Sequence, residues 1–217
     1  MRVVLLGSPG AGKGTQCKGL VGRYGLSHLS SGDILRRQRA AGTELGKKAE
    51  RYMDSGALVP DDLIVEMMVD AIGKASAAGF VLDGFPRTVN QARQLDDSLA
   101  SNGKKIDVVL NLQIDDQVVV QRMAGRRSCP KCGAVYHAEN LKPKVEGICD
   151  NDGTELVQRP DDSPEVVANR LGTYHLQTEP VVNYYRKYGT VYDIDASKDV
   201  DETSALVFEK LDALVEA

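Results

Sequence analysis

The sequence predicts an α/β protein: a P-loop parallel sheet flanked by helices, interrupted by one helical insertion and one cysteine-bearing insertion. Three observations carry this reading. An apolar run, Val3 to Leu6, breaks into GSPGAGKGT at 7–15. Short β-like runs then recur with amphipathic segments between them, the pattern of parallel strands joined by right-handed helical crossovers. Finally, Cys129, Cys132 and Cys149 crowd into one glycine- and proline-rich stretch, which points to a separate, metal-held unit.

Taken in order, the run Val3 to Leu6 reads as a buried strand and residues 13–24 as a helix. The β-like runs that follow are HLS at 28–30, FVLDG at 80–84, IDVVLNL at 106–112 and VYDID at 191–195. The first insertion, 30–59, reads as two or three helices with no strand, opening at Ser30/Ser31 as candidate caps. The second, 126–163, is rich in Cys, Gly, Pro, Lys and Asp and has little helical periodicity. Two helix-like stretches follow it, with Ser163-Pro164 as an N-cap and first-turn pair. The expected division is a core of 1–29, 60–125 and 164–217 carrying insertions at 30–59 and 126–163.

Gly7-x-x-x-x-Gly12-Lys13 fits a phosphate loop, in which backbone N–H groups cradle phosphates, a lysine reaches the β/γ-phosphates and a hydroxyl holds Mg²⁺. The hydroxyl comes one position late here, at Thr15, because Gly14 follows Lys13. A plain glycine turn is the alternative, but a strand, four glycines and Lys13 coincide at a helix N-terminus, which already favours anions.

The 217 residues carry a formal net charge of −4, which argues against a nucleic-acid binder. The first apolar run is too short for a signal peptide, and no stretch of about 18 apolar residues occurs. A soluble, cytoplasmic chain is expected. In a reducing compartment clustered cysteines mean metal more often than disulfide.

CPKCG at 129–133 and CDND at 149–152 form C-x₂-C-x₁₆-C-x₂-D. Two knuckles at this separation can bring four donors to one tetrahedral ion, and thiolates select zinc. His137 and Asp150 are rival fourth ligands, but only Asp152 reproduces the spacing of the first knuckle. With four protein ligands such a site is closed and structural.

Arginines stand at the boundaries of both insertions: Arg36, Arg87, Arg122, Arg126, Arg159 and Arg170. Each alone reads as a surface residue, but their clustering suits a phosphate site. Asp83 ends a strand where a carboxylate can hold Mg²⁺ directly or through water. No Ser-His-Asp or Cys-His arrangement is evident. A nucleophile carrying its own charge needs no base, and a nucleoside monophosphate is such a nucleophile.

GSPGAGKGTQ, SSGDILR, GALVPD, LDGFPRTVNQA, GRR and RPDDSPEVVANRL together resemble adenylate kinase, specifically the long-form bacterial type with a zinc-knuckle lid. The resemblance runs in order from residue 1 to about 197. It implies reversible transfer of the γ-phosphoryl of MgATP to AMP, giving two ADP, by a monomer whose 30–59 segment binds AMP and whose 126–163 segment is a zinc-binding lid. It places Gly10, Ala11, Gly12, Lys13, Gly14 and Thr15 around the ATP phosphates, with Lys13 on the transferred group. Ser31, Arg36, the backbone at Ala57, Leu58 and Val59, the segment Gly84, Phe85, Pro86 and Arg87, and Gln91 would hold AMP. Arg122, Arg126, Arg159 and Arg170 would surround the phosphates, and Val135, Tyr136 and Lys198 would contact the ATP nucleoside. Ser31 departs from the threonine usual in the bacterial pattern. Closing the lid would exclude water, with edges near Gly125 and at Asp161-Asp162.

One alternative is another monophosphate kinase, of the UMP/CMP or GTP:AMP type; Gln91 and the knuckles favour adenylate. A second is a nucleotide-gated nucleic-acid module, which calls for interleaved basic and aromatic residues. Residues 129–158 hold one aromatic, Tyr136, so no nucleic acid and no membrane are expected among the partners, only ATP, AMP and ADP.

Overall fold

The computed structural model describes residues 1–215; the last two residues of the expected 164–217 segment lie outside that range. Five strands form one parallel sheet in the order β2-β3-β1-β4-β7, with β1 Arg2–Gly7, β2 Ser27–Ser30, β3 Phe80–Asp83, β4 Val108–Gln113 and β7 Val191–Asp195. A parallel sheet is covered on both faces, so its central strands β1, β3 and β4 run almost continuously apolar, and alternate residues serve opposite cores. Val4 and Leu6 join Leu82, Met68, Leu95 and Tyr185 on one side. Val3 and Leu5 join Val81, Leu110, Leu20 and Leu211 on the other.

The helices are α1 Lys13–Tyr24, α2 Ser31–Ala40, α3 Glu44–Ser55, α4 Asp61–Gly73, α5 Val89–Ala100, α6 Asp116–Gly125, α7 Pro164–Thr173, α8 Glu179–Tyr188 and α9 Val200–Val215. Segment 30–59 holds two helices, α2 and α3, and no further strand beyond the end of β2. Ser30 caps α2, its side chain accepting from the Asp33 N–H, and Ser163 caps α7 with Pro164 in the first turn. The strand expected from 106 begins at Val108, because the Asp107 carboxylate is held by the backbone N–H and guanidinium of Arg2. Segment 126–163 contains a two-stranded antiparallel pair, β5 Arg126–Ser128 and β6 Val135–His137, and a 3₁₀ turn at Pro160–Asp162. The two helix-like stretches after it are α7 and α8, joined by a π-helical turn, Tyr174–Thr178. Among the described residues no helix is long and apolar enough to cross a membrane.

Two glycines fix the turn out of the central strand. A Cβ on Gly7 would lie 2.8 Å from the Leu112 carbonyl oxygen, and Gly12, the residue before α1, has φ +93°, a left-handed conformation that side chains resist. The chain therefore leaves β1 and enters α1 with its backbone bare, at the C-terminal edge of the sheet, where ligands of open α/β sheets bind.

Candidate active site and metal centre

A cleft of about 1150 Å³ opens at that edge. The loop Gly10 to Thr15 forms its floor and Asp83 lies beside it. Arg36, Arg87, Arg122, Arg126, Arg159 and Arg170, which the sequence scatters over more than half its length, all line it. So do Leu58, Gly84, Pro86, Val135, Tyr136 and Lys198. Ser31, Ala57, Val59, Phe85 and Gln91 are not among the lining residues; Ser31, Val59, Phe85 and Gln91 are buried and Ala57 is exposed.

Lys13 curls over its own loop, its Nζ donating to the carbonyls of Gly7 at 2.7 Å and Ser8 at 2.8 Å. Burial lowers its pKa to about 8; Asp83 works against the shift, and Arg87 and Arg170 add to it. Arg87 is held from several sides. Its Nε donates to the Gly84 carbonyl at 2.7 Å, its backbone N–H to Gln91 Oε1 at 2.7 Å, and its carbonyl accepts from the Thr178 hydroxyl at 3.0 Å. The same Gly84 carbonyl accepts from the Ser31 hydroxyl at 2.6 Å. Gln91, only 2 % exposed, completes its bonding through Nε2 to Asp61 at 2.7 Å.

The remaining arginines rest on partners that sequence reasoning did not assign to them. Arg170 donates to Asp161 Oδ2 at 2.8 Å, Arg126 Nε to Asp162 Oδ2 at 2.8 Å, Arg36 to Asp33 at 2.6 Å, Arg159 Nε to the Ser128 hydroxyl at 2.8 Å, and Arg122 to the Lys198 carbonyl at 3.2 Å. Burial lowers Arg87 to about 10, with Arg170 the next cause, and lowers Arg159 to about 10, with Arg36 and Arg126 adding to the shift. Cations that depress one another's pKa across a cleft relieve that repulsion by taking up an anion. His28, which also lines the cleft with Nε2 3.2 Å from Asp83 Oδ2, was missed as a site residue. Its only signal in the sequence is its place near the end of a strand.

The cysteine segment folds as two matching knuckles. Gly133 N–H bonds to the Cys129 carbonyl and Cys129 N–H to that of Ala134; Gly153 N–H bonds to the Cys149 carbonyl and Cys149 N–H to that of Thr154. They bring Cys129, Cys132, Cys149 and Asp152 together, one donor atom of each lying within 4.8 Å of the others. Cys132 and Cys149 sulfurs are 3.5 Å apart, as are Cys129 Sγ and Asp152 Oδ1. Thiolates on a tetrahedral zinc at about 2.3 Å stand about 3.7 Å apart, so this donor set fits the ion in both number and spacing. The rivals lie outside that group; His137 Nδ1 accepts from the Glu139 and Asn140 N–H groups, and Asp150 from that of Lys144.

A strand–loop–helix bare enough for backbone N–H groups to meet phosphate, under so many arginines, defines the class of P-loop nucleotide kinases. Comparison with known proteins narrows it. A family model described as Adenylate kinase matches residues 5–190. Among similar proteins named adenylate kinase are that of Agathobacter rectalis, 49 % identical over 209 residues, covering 95 % of this chain and 98 % of the relative, and that of Acetivibrio thermocellus, 48 % identical with 97 % and 98 % covered. That of Lachnospira eligens is 46 % identical, covering 97 % of this chain and all of the relative. The chain belongs to the adenylate kinase family, the ATP:AMP phosphotransferases.

Proposed function

We propose that the cleft carries out reversible phosphoryl transfer from MgATP to AMP with the residues assigned as follows. The loop Gly10 to Thr15 cradles the ATP phosphates, and Lys13 leaves the Gly7 and Ser8 carbonyls to follow the transferred group. Arg122, Arg126, Arg159 and Arg170 gather round the phosphates and neutralise charge on the equatorial oxygens. Arg87 and Arg36 hold the AMP phosphate; Ser31, the backbone at Ala57, Leu58 and Val59, the segment Gly84 to Arg87, and Gln91 shape the rest of the AMP pocket. Val135, Tyr136 and Lys198 border the ATP nucleoside. Thr15 and Asp83 would hold the magnesium that accompanies ATP, which would supply charge neutralisation at the phosphates. The observation that carries this reading is the convergence of Lys13 and six arginines on one cleft at the C-terminal edge of the sheet.

No general base is required. The AMP phosphate is largely dianionic at neutral pH, its second pKa being about 6, and attacks directly once it is aligned and its repulsion from ATP is neutralised. Segments 30–59 and 126–163 act as bodies that close on the core and exclude water, which would otherwise take the phosphoryl group. Cys129, Cys132, Cys149 and Asp152 would hold a structural zinc, adding to the small buried cluster that Ala134, Tyr136 and Leu156 form with Cys129 and Cys149. The protein works as a cytoplasmic monomer on ATP, AMP and ADP, with neither nucleic acid nor membrane as partner. Lys13→Met tests the assignment: AMP and MgATP binding by calorimetry are retained within about tenfold while turnover falls about a hundredfold or more. Near-normal turnover would remove Lys13 from the transferred group.

A further inference from the structure

Beside the phosphate loop, three metal-ligating side chains from three elements meet. Cys17 lies in the second turn of α1, His28 in β2 and Asp83 at the end of β3, and a donor atom of each lies within 4.8 Å of the others. Parallel pairing sets His28 opposite Val81 and so brings its ring up beside Asp83, Nε2 to Oδ2 3.2 Å. Cys17 is fully buried, whereas His28 and Asp83 both line the cleft. None of the roles assigned above uses Cys17 or His28.

We propose that Cys17, His28 and Asp83 form a second metal site that takes a zinc-class divalent cation from the cleft and thereby inhibits the enzyme. One sulfur, one imidazole nitrogen and one carboxylate oxygen make a borderline-soft donor set, which selects zinc over magnesium. Donor pairs on tetrahedral zinc stand about 3.5 Å apart, so the widest separations here close by about 1 Å, within reach of a turn of the half-buried His28 ring. The thiol proton leaves to solvent as the thiolate binds. Three protein ligands leave a fourth position open toward the cleft, for water or a phosphate oxygen. The inhibition follows from two neighbours. The cation removes the Asp83 carboxylate from any part in holding MgATP, and it places positive charge beside Lys13, whose ammonium the Asp83 carboxylate otherwise favours. Only this effect on turnover rests on the nucleotide assignments; the binding itself does not.

The test uses the full chain with its knuckle site loaded with zinc. Free zinc is raised in a chelator buffer while native mass spectrometry counts bound ions and a coupled assay follows ADP formation. The expected result is a second zinc that appears as activity falls, and that is lost in both Cys17→Ala and His28→Asn while the first is kept. Without added zinc Cys17→Ala keeps its activity, and its half-inhibiting zinc concentration rises about tenfold or more. A second zinc that persists in both variants, inhibition with no second zinc bound, or no second zinc at millimolar concentrations would each overturn the proposal. The two variants alter different elements, and thermal unfolding verifies that each is folded. Were the knuckles to hold no ion, the count would run from none to one, and loss on changing Cys17 would still report this site.

Discussion

Arg126 and Asp162 grip each other across the two points where segment 126–163 leaves and rejoins the rest of the chain. Arg126 Nε donates to Asp162 Oδ2 at 2.8 Å, a second guanidinium nitrogen meets the other carboxylate oxygen, and the Asp162 side chain is fully buried. Beside it Asp161 binds Arg170. Two arginines assigned to phosphate thus wait on two adjacent carboxylates. On the proposed assignment, taking up nucleotide would exchange one anion for another rather than expose bare guanidinium groups.

On the same assignment Asp162 would be a positioning residue, and its ion pair with Arg126 has a cost that can be measured. Asp162→Asn removes the charge and half of the paired bonding, so the folding free energy should fall by about 1–3 kcal/mol, the cost of leaving a buried partner poorly satisfied. Urea unfolding measures it; an unchanged midpoint would mean that Arg126 finds an equal partner without Asp162.

Arg87 is more deeply fixed, through Gly84, Gln91 and Thr178. Arg87→Ala should raise the AMP requirement and lower kcat by orders of magnitude, consistent with about 2.7–4 kcal/mol for a comparable lost donor to the transition state. Steady-state kinetics with AMP varied gives the answer, and kinetics close to those of the unaltered protein would take Arg87 out of the site.

Asp152 separates stability from catalysis. Asn keeps the shape but not the anionic ligand, whereas Cys supplies the donor zinc prefers. Asp152→Asn should lower zinc retention and the unfolding midpoint, and Asp152→Cys should preserve or raise both, with turnover well below the melting range little changed in either. A thousandfold loss of turnover in folded, zinc-loaded Asp152→Asn would show that the metal centre takes part in phosphoryl transfer.

His175, in the π-helical turn, bridges Glu179 Oε2 and Asp116 Oδ2, each at 2.9 Å, and these bonds raise its pKa above the ordinary 6.5. A raised folded pKa contributes stability that is complete below 6.5 and disappears as the pH climbs through the folded value. His175→Gln should therefore cost stability at pH 6 and little at pH 9. Because the pair is half exposed, the difference is about 0.2–1 kcal/mol. Thermal melts at the two pH values test it, and an equal loss at both would place the role of His175 in packing instead of charge.

The central strands β1, β3 and β4 were legible because they are buried and read as apolar runs, the half-buried edge strands β2 and β7 less so, and the loop because Gly7 and Gly12 are required by a close approach and a positive φ. The cysteine knuckles announced themselves by spacing alone. What the sequence did not disclose depends on strand order and long loops. His28 meets Asp83 only because β2 pairs with β3, and the acidic partners of Arg126 and Arg170 follow from how segment 126–163 returns to the core. Gln91 carries a readable polar side chain, but only the fold reveals that Arg87 and Asp61 engage both its ends. The π-helical turn has no marker in YHLQT that separates it from ordinary helix.

The central claim, that the cleft passes phosphoryl groups to AMP and withholds them from water, is tested most directly by one coupled measurement. ADP formation from MgATP is followed with AMP, GMP, UMP, CMP and no monophosphate in turn. The account predicts rapid ADP formation with AMP, little with the other three, and scarcely any ATP consumed when the monophosphate is absent. Equal turnover of UMP or CMP, or ATP hydrolysis that proceeds as fast without AMP as with it, would contradict it.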